Sequence, residues 1–347
     1  MFALTRQDTS VMKGIAICAM LFHHLYGFPP DGVEPYTGVL AWIGVLGKIC
    51  VALFLFCSGY GLAANYKPKS ILDDIKFISK RLVKFYANYW MIFLIFVPIT
   101  IFTFHRSLAN AYGAESNLIV CLLKDIMGVQ GFESYNPTWW FNLLIIILYL
   151  IFPILYRAAQ RVPWLVLLIG LGVMRMAYHI SHNPIDFFTW QFPFVVGLVW
   201  QLYENKFTKV TMWFAEHKYT FAICSVVLTL LFVALRMWPI ISSWSGVRID
   251  AFLTSAIALM VTSIGRYLPR TSGVFAFLGK HSMNIYMMHT FFNAFYCKEL
   301  LHSGEWMRGG GNFVLLMIIC LLISMVIEFL KAKIRLYELV NSITKRI

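Results

Sequence analysis

The sequence predicts an all-α integral membrane protein of about ten transmembrane helices with both termini cytoplasmic. Three observations predict it. Of the 347 residues, 60% are hydrophobic and only 13% charged, against about a quarter charged in soluble domains. The apolar residues fall in blocks near the ~20-residue length that spans a hydrocarbon core. The basic residues are divided unevenly between the segments that separate those blocks.

The blocks lie near 11–28, 38–64, 84–105, 138–157, 163–180, 187–203, 219–237, 249–266, 281–298 and 312–331. Together they use roughly 200 residues, which leaves loops but no second domain. A single transmembrane domain over 1–347 is therefore expected, ending in a cytoplasmic tail at about 332–347. The first block contains His23 and His24 and lacks a convincing small-residue cleavage site, so it reads as a retained span. An even number of spans puts both termini on one side. With that side cytoplasmic, 21 of the 29 Lys and Arg residues lie inside, a bias that sets the orientation.

The formal charge of +13 would suit nucleic-acid binding in a soluble fold. Here the charge lies in the inner loops, so membrane lipid is the expected partner and nucleic acid is not. The seven cysteines form no CxxC pair and sit mostly inside apolar blocks, which excludes a disulfide frame and a zinc site. The longest segment between blocks, 106–137, falls outside. It carries an amphipathic run from Asn117 to Val129, with Leu118, Ile119, Leu122, Leu123 and Ile126 at helical spacing. That run either lies on the outer membrane surface or covers a site.

Span one concentrates the chemistry. From Lys13 to His24 is eleven steps, about three helical turns and about 16 Å, so the two project from nearly the same face, while His23 points roughly 80° away. An ionisable group at membrane depth is a candidate functional group by default, because solvation there is poor. The plainer reading is that one or both histidines hydrogen-bond a carbonyl between helices. Lys48, Arg175 and the Arg248, Asp250 pair also lie close to or inside spans. Lys48 either snorkels or marks a polar cavity, and Arg248 with Asp250 reads as a local pair.

Four motifs in order carry a resemblance. They are Lys13 and His24 with ten residues between; Phe54-Leu-Phe-Cys-Ser58-Gly59-Tyr60; Pro137-Thr-Trp139-Trp140-Phe141; and Gly279-Lys280-His281-Ser282-Met-Asn-Ile285-Tyr286-Met-Met-His289. With these the sequence resembles the membrane acyltransferase 3 family of bacterial O-acyltransferases, over most of the chain. The family's basic cytoplasmic segment has a counterpart in Lys80-Arg81-Leu-Val-Lys84. Lys84 stands where Arg is more usual, without its bidentate fork, and Asn88 stands where the family often has Pro.

The resemblance implies an acyl-CoA dependent O-acyltransferase of the bacterial cell membrane, with acetyl-CoA as donor and a cell-envelope polysaccharide or its lipid-linked precursor as acceptor. No metal or prosthetic group is expected. Acyl transfer from a thioester to an alcohol needs a donor site, a base and an oxyanion stabiliser. On this reading Lys80, Arg81 and Lys84 receive the coenzyme A phosphates, Ser58 and Tyr286 contact the donor, and His24 is the base, with Lys13 and His289 beside the chemistry. Trp139, Trp140, Asn142, Arg175 and Arg248 are expected on the acceptor side. Plainer roles stand beside these: Ser58 and Gly59 as close-packing residues, and Trp139 and Trp140 as an interfacial aromatic belt. A transporter or flippase of a lipid-linked sugar is the rival reading.

Overall fold

The computed structural model describes residues 3–67, 70–181, 187–206, 208–238, 246–303 and 310–347, with no strand among them. The helices are α1 (Arg6–Phe22), α2 (Gly38–Leu46), α3 (Cys50–Asn65), α4 (Ile71–Phe102), α5 (Leu108–Tyr112), α6 (Leu118–Ile126), α7 (Trp140–Arg161), α8 (Pro163–Ser181) and α9 (Phe187–Tyr203). They continue as α10 (Thr208–Glu216), α11 (Lys218–Met237), α12 (Gly246–Ile264), α13 (Pro269–Lys280), α14 (Ser282–Thr290), α15 (Lys298–His302), α16 (Asn312–Lys333) and α17 (Leu336–Arg346).

Each expected span coincides with helix. Among the described residues, five segments are long and apolar enough to cross a membrane: Gly38–Asn65, Ile71–Phe102, Pro137–Arg161, Lys218–Met237 and Asn312–Lys333. The span expected at 84–105 begins earlier, at Ile71, because Ser70 caps the helix by accepting from Asp73 N at 3.1 Å. The basic segment Lys80–Lys84 is thereby part of the same rod. Most of the tail expected at 332–347 forms α17.

Two compact units divide the chain. The first comprises residues 1–28, 35–67 and 152–282. α1 starts at a capping box, with Asp8 N donating to Thr5 Oγ1 at 3.1 Å and Thr5 N to Asp8 Oδ2 at 2.9 Å. It ends in a π turn over His23–Gly27, where Phe28 N donates back five residues to His23 O at 2.7 Å. The chain entering α1 is pinned by Tyr60, whose hydroxyl accepts from Leu4 N at 2.8 Å and donates to Glu204 Oε2 at 2.7 Å. In this unit α1 packs on α13, α3 on α9 and α11 on α12.

The second unit comprises residues 29–34, 68–151 and 283–347. It is built on α4, the start of α7, most of α14 with its π extension Phe291–Tyr296, and α16. α17 packs on α4. An aromatic core of Phe93, Trp139 and Phe291 fills its centre, with Trp139 and Phe291 fully buried and their rings 5.7 Å apart.

Candidate active site

The expected residues fall in two groups, one per unit. Lys13, His24, Ser58, Arg175 and Arg248 belong to the first. Lys13 and His24 are both half-buried, but the last steps between them fall in the widened π turn, so ideal α spacing no longer fixes their relative facing. The neighbouring histidine is committed to structure. His23 Nδ1 lies 2.9 Å from Gly44 O, the interhelical carbonyl contact that was the plainer expectation. The His24 ring stands edge-on to His23, with centroids 5.2 Å apart. π turns recur at functional sites because one inserted residue re-aims a side chain.

Ser58 is half-buried on α3. The motif glycines are packing residues: a Cβ on Gly59 would lie 2.1 Å from Phe194 O, and one on Gly279 would lie 1.9 Å from Ser10 O. Arg175 and Arg248 are in α8 and α12, and their side chains lie outside the described residues. The expected Arg248–Asp250 pair involves a side chain outside the described residues. Asp250 accepts from Arg236 Nε at 2.8 Å, a buried ion pair joining α11 to α12.

In the second unit, Lys80 and Arg81 are half-buried and Lys84 exposed on one stretch of α4, with the Arg81 guanidinium 5.3 Å from the centre of the Phe77 ring. Asn88, one turn on from Lys84, donates to Lys84 O and accepts from Lys331 Nζ, both at 2.7 Å. In place of proline it therefore leaves α4 continuous and supplies an acceptor. These three cations form an accessible basic stretch of the kind that holds phosphates.

Trp139 is fully buried, which corrects its reading as a belt residue. Its Nε1 donates to Met287 O at 2.9 Å, and Asn136 Nδ2 donates to the same carbonyl at 2.9 Å. Trp140 is only half-buried. Tyr286 donates its hydroxyl proton toward Thr138 O at 3.0 Å and Asn142 Oδ1 at 3.1 Å. His289 is fully buried, with Nδ1 2.8 Å from Tyr286 O and Nε2 3.3 Å from Thr290 Oγ1. The structure thus joins Trp139, Asn142, Tyr286 and His289 through the helix turn Ile285–Thr290. Asn142 Nδ2 is buried without a partner among the described residues, and an unspent amide donor is the type of group that stabilises an oxyanion.

Two supports of this cluster were not expected. Asp125, on α6, accepts from Tyr112 Oη at 3.0 Å and Tyr135 N at 3.2 Å, and the Tyr89 hydroxyl donates to its backbone carbonyl. Burial pushes its carboxyl up to about 6, opposed by those hydrogen bonds. Arg106 donates to Tyr135 O at 2.8 Å and Ser134 O at 3.2 Å, and stacks over Phe295 at 4.4 Å. Together they fix the loop that delivers Asn136 and Trp139. The amphipathic run was legible in the sequence, but nothing in it distinguished Asp125 from the solvated Lys124 beside it.

Among the described residues, no group of three His, Cys, Asp or Glu side chains is placed to hold a metal ion. No curated protein and no solved structure matches the chain. The family model described as an acyltransferase domain, that of acyltransferase 3, matches residues 8–330. That match takes in all four motifs, from Lys13 to His289, and with the helices able to cross a membrane it leads to one conclusion: the chain belongs to the acyltransferase 3 family and is a membrane acyltransferase.

Proposed function

We propose that the protein transfers an acetyl group from acetyl-CoA across the cell membrane to a hydroxyl of a cell-envelope polysaccharide or its lipid-linked precursor, with His24 as general base. Membership of an acyltransferase family supports the reaction class. The observation that supports the choice of base is position: His24 is a half-buried imidazole in the π turn that closes α1, and it is the histidine of the Lys13–His24 motif.

The reaction balances without a redox partner. The acceptor hydroxyl attacks the thioester carbonyl as His24 takes its proton. The tetrahedral oxyanion collapses, the C–S bond breaks, and the imidazolium returns the proton to the departing thiolate of coenzyme A. Lys80, Arg81 and Lys84 hold the donor phosphates, and Ser58 and Tyr286 contact the donor. Asn142 supplies an oxyanion donor, with Trp139 and Trp140 on the acceptor side.

The test uses purified protein with labelled acetyl-CoA and a cell-envelope glycan fraction, following free thiol and glycan acetylation by mass spectrometry. His24→Ala is expected to lower both by about 10²–10⁴-fold, the usual worth of a positioned base. Unchanged release in that variant removes His24 as the base. Movement of a lipid-linked sugar with no thiol release would favour transport.

A further inference from the structure

Beside the His23 turn, the first unit holds a buried charge cluster that the proposed mechanism does not use. Lys48 sits in the short 3₁₀ break Gly47–Ile49 between α2 and α3. That break is pressed against the end of α1: a Cβ on Gly47 would lie 3.0 Å from His23 N and 3.1 Å from His23 Cβ. The half-buried Lys48 ammonium lies 5.8 Å from the centre of the Trp190 ring. It makes no hydrogen bond or ion pair among the described residues. Asp250 acts on it electrostatically, as does Arg236, and both Lys48 and Arg236 are felt at His23.

Asp250 is already committed to Arg236, at 2.8 Å, and the two side chains are 0% and 4% exposed. Among the described residues, two cations therefore share one carboxylate, one positive charge in excess. A ring face contributes about 2 kcal/mol to a desolvated cation, less than an ammonium at membrane depth needs to offset its lost hydration. Unspent hydrogen-bonding capacity is carried by the same residues and by residues next to them in sequence. Asp250 Oδ2 and Thr254 Oγ1, one turn apart on α12, and Thr189 Oγ1, next to Trp190, are all buried without a partner among the described residues. An excess cation, an unspent carboxylate oxygen and unspent hydroxyls together describe the complement of a hydroxylated anion.

We infer that Lys48, backed by the Arg236–Asp250 pair, binds the anionic group of an acidic sugar, a carboxylate or a phosphate, so that the acyl acceptor carries a negative charge beside its reacting hydroxyl. This rests on the acyl-acceptor reading above and names the acceptor's chemistry. Lys48 acts as a binding residue, and its loss raises KM for a charged acceptor with little effect on kcat.

The experiment measures binding, which needs no turnover. Purified protein in detergent is titrated with methyl glucuronoside, glucose 1-phosphate and the neutral methyl glucoside, with the thermal unfolding midpoint as readout. At least one anionic probe is expected to raise the midpoint, and the neutral one is not. Lys48→Met is expected to weaken the anionic probe by about 10-fold or more, the worth of one charge-assisted hydrogen bond, while Lys48→Arg keeps most of it. Equal binding of the neutral glycoside, binding of no probe, or undiminished binding by Lys48→Met overturns the inference. Lys48-dependent binding in a protein that releases no thiol would sink the acyl-transfer reading alone.

Discussion

Two lysines, one in each unit, meet the cost of a buried ammonium in different ways. Lys331 on α16 is 1% exposed, and its three N–H groups reach Asn88 Oδ1 and Asn284 Oδ1 at 2.7 Å and Glu328 Oε1 at 2.9 Å. Asn284 in turn donates to Glu328 Oε1 at 2.8 Å and Ser324 Oγ at 3.0 Å, and Tyr337 closes the far carboxylate oxygen. Lys48 has an aromatic face and one shared carboxylate at longer range. A saturated cation ties α4, α14, α16 and α17 together and has nothing left to offer a ligand. An unsaturated one contributes little to the fold and keeps its donors for another molecule.

Removing each charge separates the two roles, and here the largest stability effect is expected. Lys331→Met leaves two amide oxygens without this donor and Glu328 Oε1 with Asn284 alone, and should cost about 3 kcal/mol. That is the lower end for a broken buried pair, because Glu328 keeps 34% of its surface exposed. Lys48→Met should change stability by less than about 1 kcal/mol, since it breaks no hydrogen bond. Thermal unfolding in detergent reads both. Equal losses would erase the distinction and make Lys48 a structural residue.

Asp125 sharpens the comparison from the anionic side. Its Oδ2 accepts from both Tyr112 and Tyr135, yet burial still pushes the carboxyl up to about 6. The folded protein therefore holds a proton between about pH 4 and 6 that the unfolded chain has released. Stability from this group is present at the acid end and falls as pH rises through that window, by at most about 3 kcal/mol. Asp125→Asn should remove the slope, because an amide accepts the same two donors without titrating. The check is the difference between wild-type and Asp125→Asn unfolding midpoints from pH 4 to 8. A difference that is flat across pH 4 to 6 would show that Asp125 is solvated.

What the sequence made legible follows from the range over which its signals act. Apolar blocks and caps are local, so helix appears at every expected span, and Ser70 and Asn117 mark the starts of α4 and α6. Partners are not local. Lys331 reads as one more inner-side charge until Asn88, 243 residues away, proves to be its acceptor. Asp250 pairs with Arg236, 14 residues before it, across the connection between α11 and α12. His23 gives no sign in the sequence of its partner, Gly44 O, which lies 21 residues on. The π turn itself leaves no mark on apolar periodicity, so ideal geometry puts Lys13 and His24 on one face.

The smallest effect tests whether Tyr286 belongs with Lys331 or with Lys48. Its hydroxyl proton has two neighbouring acceptors, Thr138 O and Asn142 Oδ1, at 3.0 and 3.1 Å, and it is one of the bonds that hold α14 to the entry of α7. If that bond is structural, Tyr286→Phe leaves both oxygens without this donor and costs about 1 kcal/mol, with thiol release changed little at a temperature where the variant is folded. If the hydroxyl also positions Asn142 for the oxyanion, the same variant lowers kcat at unchanged KM, because only the transition state then loses an interaction. Asn142→Ala supplies the control. It removes the orphaned Nδ2 donor outright, so in the second case its kcat defect should not add to that of Tyr286→Phe in the double variant. Additive losses would separate the two residues and return Tyr286 to the saturated class, where a hydrogen bond holds helices and does no chemistry.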